Sequence, residues 1–270
     1  MPRAKKALGQ NFLTDGRVVG KITAAAEIYS DDTILEVGPG RGILTRALAS
    51  KAGKVITVEI DEQLIPSLYE KFSDHTNVEI VQGDARAISI DKLIPAEDRY
   101  KVVANLPYYA ASPIVRRFLE ADHKPTLMVV MVQREVGLDM TAKPGKMGIL
   151  SVATQVYGNP RIITSVPPRS FRPSPKVTSA VVKIDLYDKP LVPFMSPDGF
   201  FELVRAGFSA PRKQIHNNLR HRLNTNPDVI GELLAQAKID PKRRAQTLSI
   251  TEWGTLYELS IPLLDQLLDQ

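Results

Sequence analysis

One short segment combines residue types that suit chemistry on an amine: Asn105-Leu106-Pro107-Tyr108. Pro107 has a fixed φ and biases Leu106 towards an extended conformation, so the Asn105 side-chain oxygen and the Leu106 carbonyl can face one direction. Two rigid acceptors favour the pyramidal form of an exocyclic amine, whose lone pair can then attack an electrophilic methyl group. The Tyr108 ring offers a stacking surface for a base and an electron-rich face for a nearby cation.

A glycine-rich turn and two acids indicate a nucleoside site. The turn is the segment 38–42, which follows an apolar run, and Glu59 lies nineteen residues beyond Gly40, near the roughly 20-residue offset at which an acid reaches a ribose. Ile43 stands where a dinucleotide fingerprint has its third glycine, which disfavours a pyrophosphate ligand. Glu59 and Asp84 suit a ribose and an exocyclic amine, so we expect an adenosine ligand without phosphates, such as S-adenosylmethionine.

Composition places the chain among folded globular proteins. It has 270 residues, of which 43% are hydrophobic and 24% are charged. The absence of cysteine excludes disulfides and thiolate chemistry, and the four histidines form no ligand pattern, so we predict no metal site. No apolar run approaches the roughly 18 residues of a membrane span. We expect a soluble, untargeted, cytoplasmic protein.

Basic residues are unevenly distributed although the net charge is only +5. No acid occurs between Asp139 and Asp185, between Glu202 and Asp228, or in the first fourteen residues, while each stretch carries Lys or Arg. A solvated basic face explains any one of these stretches. Three together favour a polyanionic partner.

Alternating strand and helix patterns predict an α/β fold with a Rossmann-like, mostly parallel sheet. The predicted strands are 33–37, 54–59, 78–81, 101–104 and 127–132, and the predicted helices are 17–27, 43–51, 64–72 and one that starts at Ser112-Pro113. Residues 148–157 and 177–186 resemble two further strands, so we expect an antiparallel hairpin to close the sheet.

From Tyr187 onwards the composition changes to prolines and then to helical patterns only. The predicted helices are 197–208, 214–223, 227–238 and 251–259, followed by an apolar tail after Pro262. Ser196-Pro197 and Asn226-Pro227 are typical cap-plus-proline starts. We therefore predict two domains, a sheet domain at 1–188 and a small all-helical domain at 189–270.

The chain resembles the ribosomal RNA adenine dimethyltransferases of the small subunit nearly from end to end. The shared motifs are Gly9-Gln10-Asn11-Phe12-Leu13, Glu36-Val37-Gly38-Pro39-Gly40, Gly83-Asp84-Ala85, Asn105-Leu106-Pro107-Tyr108, Val166-Pro167-Pro168 and Phe171-Arg172-Pro173-Ser174-Pro175-Lys176-Val177. This set is highly specific. The resemblance implies a class I methyltransferase sheet.

The resemblance also implies roles for particular residues. It implies that Asn11 and Leu13 join Gly38, Glu59, Asp84 and Asn105 around S-adenosylmethionine, and that Phe171 and Tyr108 sandwich a flipped adenine. The resemblance further implies that RNA binds to the basic face of the helix at 214–223 and to the residues just before it. The RNA-binding residues are Arg212, Lys213, Arg220 and Arg222.

The implied reaction is dimethylation at N6 of two adjacent adenosines in a hairpin loop near the 3′ end of small-subunit (16S) ribosomal RNA. It would take place during ribosome biogenesis, by a monomer acting on a partly assembled subunit.

Three alternatives remain open from the sequence. The related large-subunit adenine methyltransferases that confer macrolide resistance share the sheet pattern. The chain could also be a ribosome assembly factor whose main function is binding, with methylation as a secondary activity. A nicotinamide oxidoreductase on the same sheet is disfavoured by Ile43 and by the Asn105 segment.

Overall fold

The computed structural model describes Lys5 and residues 10–268. The strands are β1 (Phe12–Leu13), β2 (Thr33–Val37), β3 (Lys54–Glu59), β4 (Val78–Gln82), β5 (Tyr100–Asn105), β6 (Leu127–Gln133), β7 (Gly158–Val166), β8 (Phe171–Arg172) and β9 (Ser179–Leu186). The helices are α1 (Gly16–Ala25), α2 (Ile43–Ala49), α3 (Ile65–Phe72), α4 (Ala111–Glu120), α5 (Arg134–Met140), α6 (Ile149–Tyr157), α7 (Pro197–Gly207), α8 (Ile215–Arg222), α9 (Pro227–Gln236) and α10 (Ile250–Leu268).

Seven strands form one mixed sheet in the order β4-β3-β2-β5-β6-β9-β7. The pairs β4-β3, β3-β2, β2-β5 and β5-β6 are parallel, whereas β9 runs antiparallel to β6. The prediction of a mostly parallel sheet with helices is confirmed. Strand order reverses between β2 and β5, and ligands of such sheets bind at the carboxyl ends of the strands at this switch point.

The strands and helices form where local sequence and burial agree. Ile34 and Leu35 in β2 and most of β6 are fully buried, as expected for central strands covered on both faces. Ser196 caps α7 by accepting from the Gly199 N–H at 3.1 Å, and Asn226 caps α9 by accepting from the Asp228 N–H at 2.9 Å. Both predicted caps are confirmed.

The segment 148–157 was expected to be a strand, and this prediction is wrong. It forms helix α6, and the strand beside β9 at the sheet edge is β7 instead. Val152, Ala153 and Val156 follow helical spacing and are buried, because α6 packs against α7 and α10. Tertiary burial therefore outweighs the β-branched composition that suggested a strand.

Smaller differences concern helix ends. Helix α4 begins at Ala111, so Pro113 occupies the third helical position rather than the first. This position still belongs to the first turn, where backbone N–H groups have no helical acceptor, so proline is tolerated. Helix α10 continues through Pro262, whose ring removes one helical hydrogen bond, where we expected a separate tail. Helix α5 was not predicted.

The chain divides into two compact units. One comprises residues up to 138 together with 159–188, and the other comprises 139–158 together with 189–270. The predicted division at residue 188 thus needs correction for residues 139–158, which belong to the helical unit. The cause is again α6, whose packing partners are helices of that unit.

Candidate active site

A cleft opens at the carboxyl ends of β2, β3 and β5, at the switch point of the sheet. Most residues predicted for cofactor and amine binding line it: Asn11, Leu13, Gly38, Glu59, Asp84, Asn105, Leu106, Pro107 and Tyr108. They come from five separate stretches of sequence. The fold therefore gathers these groups at one place, next to apolar wall residues such as Val37 and Val58.

The glycine turn adopts a left-handed backbone at Gly38 and Gly40, and at Gly40 it also leaves no room for a side chain. Gly38 has φ +69°, and a Cβ there would lie 3.7 Å from the Asn105 carbonyl oxygen. Gly40 has φ +56°, and a Cβ there would lie 2.9 Å from the Phe12 ring. Glycine adopts this left-handed backbone without strain. The turn and the Asn105 segment thus lie near each other in the lining of the cleft.

Glu59 is buried and fixed by backbone donors. Its Oε2 accepts from the Gly40 N–H at 3.2 Å, and its Oε1 accepts from the Asp61 N–H at 2.9 Å. Burial raises the pKa of Glu59, and the two backbone hydrogen bonds oppose that shift. Each oxygen retains acceptor capacity towards the cleft, which suits ribose hydroxyls.

Asp84 lies in the loop after β4 and is bonded to Arg86. The Arg86 guanidinium lies 2.6 Å from Oδ2 of Asp84, and this contact holds the pKa of the carboxyl below its ordinary value. The carboxyl therefore remains ionised at neutral pH, so both of its oxygens act only as acceptors.

Asp61 binds two residues of the N-terminal part of the chain, Lys5 and Gln10. Lys5 Nζ lies 2.7 Å from Oδ1 of Asp61, and Gln10 donates to Oδ2 at 2.8 Å. Phe12 packs with Leu64, Leu68 and Phe72 next to the glycine turn. The sequence pattern did not single out Asp61; its only signal was an acid two residues after Glu59.

Three hydrogen bonds fix the Asn105 segment to neighbouring parts of the chain. The Asn105 amide nitrogen lies 3.4 Å from the Asn11 carbonyl, which leaves Oδ1 as the acceptor, and the Leu106 N–H donates to Met131 at 3.1 Å. The Tyr108 hydroxyl lies 2.6 Å from the Ser179 hydroxyl in β9. Burial raises the pKa of Tyr108, so the phenol stays neutral. Both acceptor groups thus sit on a fixed backbone corner.

Phe171 does not line the cleft, contrary to the expectation that it sandwiches a base with Tyr108. Its side chain is 1% exposed and packs in a core cluster with Leu13 and Ile22. Strand β8 pairs with β1, which puts Phe171 opposite Leu13. Because Leu13 lines the cleft, Phe171 supports the wall from behind.

Glu36 is a buried acid in the cleft wall that the sequence did not assign to a role. Thr45 donates to its Oε2 at 2.6 Å, while Oε1 has no hydrogen-bond partner among the described residues. Burial raises the pKa of Glu36 to about 7, and the hydrogen bond from Thr45 opposes this. The sequence does contain one signal for such a role, because Glu36 is a charged residue inside the apolar run 33–37.

In the helical unit, α8 has one apolar face and one basic face, as its spacing predicted. Ile215, Leu219 and Leu223 are buried. The predicted RNA-binding side chains are all exposed: Arg212, Lys213, Arg220 and Arg222. Asn218 donates to the carbonyls of Gly207 and Ala210. These bonds fix the turn that carries Arg212 and Lys213.

The described residues contain neither a metal-binding cluster nor a membrane-spanning helix. Over Lys5 and 10–268, no group of three or more His, Asp or Glu residues is arranged to hold a metal ion. Within the same part of the chain, no helix combines the length and apolar character needed to cross a membrane.

Comparison with known proteins gives consistent matches over almost the whole chain. A family model described as Ribosomal RNA adenine dimethylase matches residues 1–260. A Dehalococcoides mccartyi protein named Ribosomal RNA small subunit methyltransferase A is 46% identical over 254 residues, which cover 94% of this chain and 87% of that protein. A protein of the same name from Alkaliphilus metalliredigens is 42% identical and covers 94% of this chain and 91% of its own.

Two solved structures share the fold. A dimethyladenosine transferase from Plasmodium falciparum is 25% identical with a TM-score of 0.81, covering 93% of this chain and 98% of its own. The 23S rRNA methyltransferase ErmE is 29% identical with a TM-score of 0.73, covering 92% and 99%.

Proposed function

The chain belongs to the ribosomal RNA adenine dimethylase family, and we propose that its substrate is a pair of adjacent adenosines in a hairpin loop near the 3′ end of small-subunit (16S) ribosomal RNA. It is an S-adenosylmethionine-dependent ribosomal RNA adenine dimethyltransferase. The observation that supports this chemistry most strongly is that the Asn105 corner and the glycine turn line the same cleft.

The cleft residues fit S-adenosylmethionine, which supplies an electrophilic methyl group on a sulfonium when bound. Glu59 is oriented by two backbone N–H groups to accept from ribose hydroxyls. Asp84 is the acceptor for the adenine amine of the cofactor. Asn11, Leu13 and Gly38 complete the binding site along the cleft wall.

The substrate amine is bound by the Asn105 corner. Asn105 Oδ1 and the Leu106 carbonyl accept from the two N–H groups of adenine N6 and favour its pyramidal form. Pro107 keeps the two acceptors in one direction. Chain groups need not remove a proton before transfer, because the methylated, positively charged amine is a strong acid that loses its proton to water.

The target base leaves its stack before it reacts. Unstacking costs a few kcal/mol and least in a loop, which favours a hairpin loop as substrate. Tyr108 lies at the cleft with its hydroxyl fixed by Ser179, so its ring is the stacking surface for the base. Phe171 supports Leu13 instead of touching the base.

RNA outside the cleft is bound by the basic face of the helical unit. The four exposed cations at 212, 213, 220 and 222 project from α8 and the turn before it, while the opposite face of α8 is core. Phosphate contacts of this kind give affinity rather than sequence specificity. We propose that the protein acts as a monomer in the cytoplasm, where small subunits are assembled.

Methylation of large-subunit RNA is the second candidate, because ErmE shares the fold at 29% identity. The curated relatives at 42–46% identity carry the small-subunit name, which favours the first. Incubation of each purified RNA with protein and methyl donor, followed by primer extension, separates the two. Two methyl groups on N6 block base pairing, so we expect strong stops at adjacent adenosines in small-subunit RNA only. Stops confined to large-subunit RNA would overturn the proposal.

A further inference from the structure

Asp84 makes an unusual number of hydrogen bonds with one neighbour. Oδ1 accepts from the Arg86 backbone N–H at 2.9 Å and from Arg86 Nε at 3.0 Å. Oδ2 accepts from Nε at 3.0 Å and from a terminal guanidinium nitrogen at 2.6 Å. The single Nε hydrogen is shared between the two oxygens, so three N–H groups of Arg86 bond a carboxylate that offers about four lone-pair sites.

This pairing bears on the proposed function, on which the following inference rests. An adenine amine that donates to Asp84 competes with the Arg86 side chain, which contacts both carboxylate oxygens. The side chains of Asp84 and Arg86 are 31% and 47% exposed. Such partly exposed pairs contribute little free energy, so a ligand can displace the guanidinium readily.

We propose that the Arg86 guanidinium occupies the place of the cofactor amine on Asp84, and that cofactor binding releases it to bind a phosphate of the RNA substrate. Arg86 is thus a positioning residue that couples the two ligands. The backbone N–H of Arg86 stays on Oδ1 and keeps the carboxylate oriented.

The surroundings of Arg86 suit a released cation that contacts RNA. Arg86 lines the cleft together with Tyr109, whose side chain is 51% exposed at its edge. We expect the phosphates that flank a base in the cleft to reach this edge. Arg86 also lines a neighbouring groove, which carries Arg116, Arg117, Asp91, Asp122 and Glu120.

The first experiment measures competition for Asp84 by calorimetry. Arg86→Met removes the side-chain donors and keeps the backbone N–H. The ligand is S-adenosylhomocysteine, which lacks the sulfonium charge, and the control ligand is its analogue with hydrogen in place of the 6-amino group. We expect Arg86→Met to bind S-adenosylhomocysteine about two- to fivefold more tightly and the analogue unchanged.

The second experiment measures coupling to RNA. Fluorescence anisotropy gives the affinity for a small-subunit RNA hairpin with and without saturating S-adenosylhomocysteine. In the wild type the ligand should tighten RNA binding by about two- to fivefold, and by linkage RNA should tighten ligand binding by the same factor. In Arg86→Met this ratio should fall to one. Arg116→Met removes a nearby arginine that pairs with Glu120, not with Asp84, and should keep the ratio.

Several outcomes of these two experiments would contradict the proposed role of Arg86. If Arg86→Met weakens S-adenosylhomocysteine but not the analogue, Arg86 supports the bound ligand and the proposal is wrong. Unchanged affinities, or a coupling ratio that survives in Arg86→Met, also overturn it. If the wild type binds no S-adenosylhomocysteine, the proposed function itself fails, and this inference falls with it.

Discussion

The amide N–H of Gly40 donates to the Glu59 carboxylate at 3.2 Å across nineteen residues of sequence. This bond joins the turn after β2 to the end of β3, so two sequence signals form one structural unit. The left-handed conformation of Gly40 aims its N–H at Glu59 and leaves the other face of the turn against Phe12. We therefore expect both residues to contribute to cofactor binding.

Glu59→Gln should weaken binding of S-adenosylhomocysteine. The amide loses one charged acceptor and places an NH2 group near a backbone donor. A hydrogen bond to a charged group contributes about 1.5–3 kcal/mol, so affinity should fall on the order of ten- to hundredfold. Calorimetry measures the loss, and Glu62→Gln, an exposed change three residues away, is the control. Equal affinities of the two variants would refute the role of Glu59.

Gly40→Ala should destabilise the protein. A left-handed alanine costs about 1–2 kcal/mol, and its Cβ would stand 2.9 Å from the Phe12 ring, which must move. The matched control is Gly20→Ala in α1, where nothing lies within 4 Å of the new Cβ. That helical change should stabilise by about 0.5–1 kcal/mol. Thermal unfolding of both variants compares them, and a Gly40→Ala protein as stable as the wild type would contradict the geometry.

Glu36 should make stability depend on pH. Its pKa is raised from 4.5 to about 7 in the folded protein, so the folded state holds a proton that the unfolded state has lost between these values. Its stabilising contribution is complete below pH 4.5 and is lost as the pH rises through 7. One pKa unit is about 1.4 kcal/mol, so the loss is on the order of 3 kcal/mol.

The neutral isostere Glu36→Gln removes this titration. Denaturant unfolding of both proteins from pH 5 to pH 8 should show the variant gaining stability relative to the wild type as the pH rises. A constant difference between the two across that range would mean that Glu36 is ionised throughout.

Phe171 can be tested as a core residue against its alternative as a base-stacking residue. Phe171→Ala should lower the free energy of unfolding by about 3–5 kcal/mol, because it empties a buried site behind Leu13. Phe171→Leu keeps most of the apolar volume and should keep both stability and methyl transfer near wild type. A stable Phe171→Leu protein with strongly reduced transfer would show that the ring contacts the base.

Local signals predicted local structure well. The glycine turn, the helix starts at Ser196 and Asn226, and the apolar face of α8 each depend on a few neighbouring residues, and the structure has them as predicted. The cleft was predictable because parallel strands must end at one edge of the sheet, which brings Gly38 and Asn105 together.

Features set by distant packing were not predictable. Helix α6 has strand-like composition and is helical because helices from 197 onwards cover it. The burial of Phe171 depends on β1, which lies about 160 residues earlier in the chain. The Arg86 contacts with Asp84 need side-chain geometry that spacing alone does not give.

The most direct measurement is mass spectrometry of unmethylated small-subunit RNA after incubation with the protein and isotope-labelled S-adenosylmethionine, beside the Asn105→Ala variant. We predict two labelled methyl groups on each of two adjacent adenosines with the wild type. Asn105→Ala should transfer none while calorimetry still detects cofactor binding. Wild-type transfer by Asn105→Ala, or label on a base other than adenine, would contradict the account.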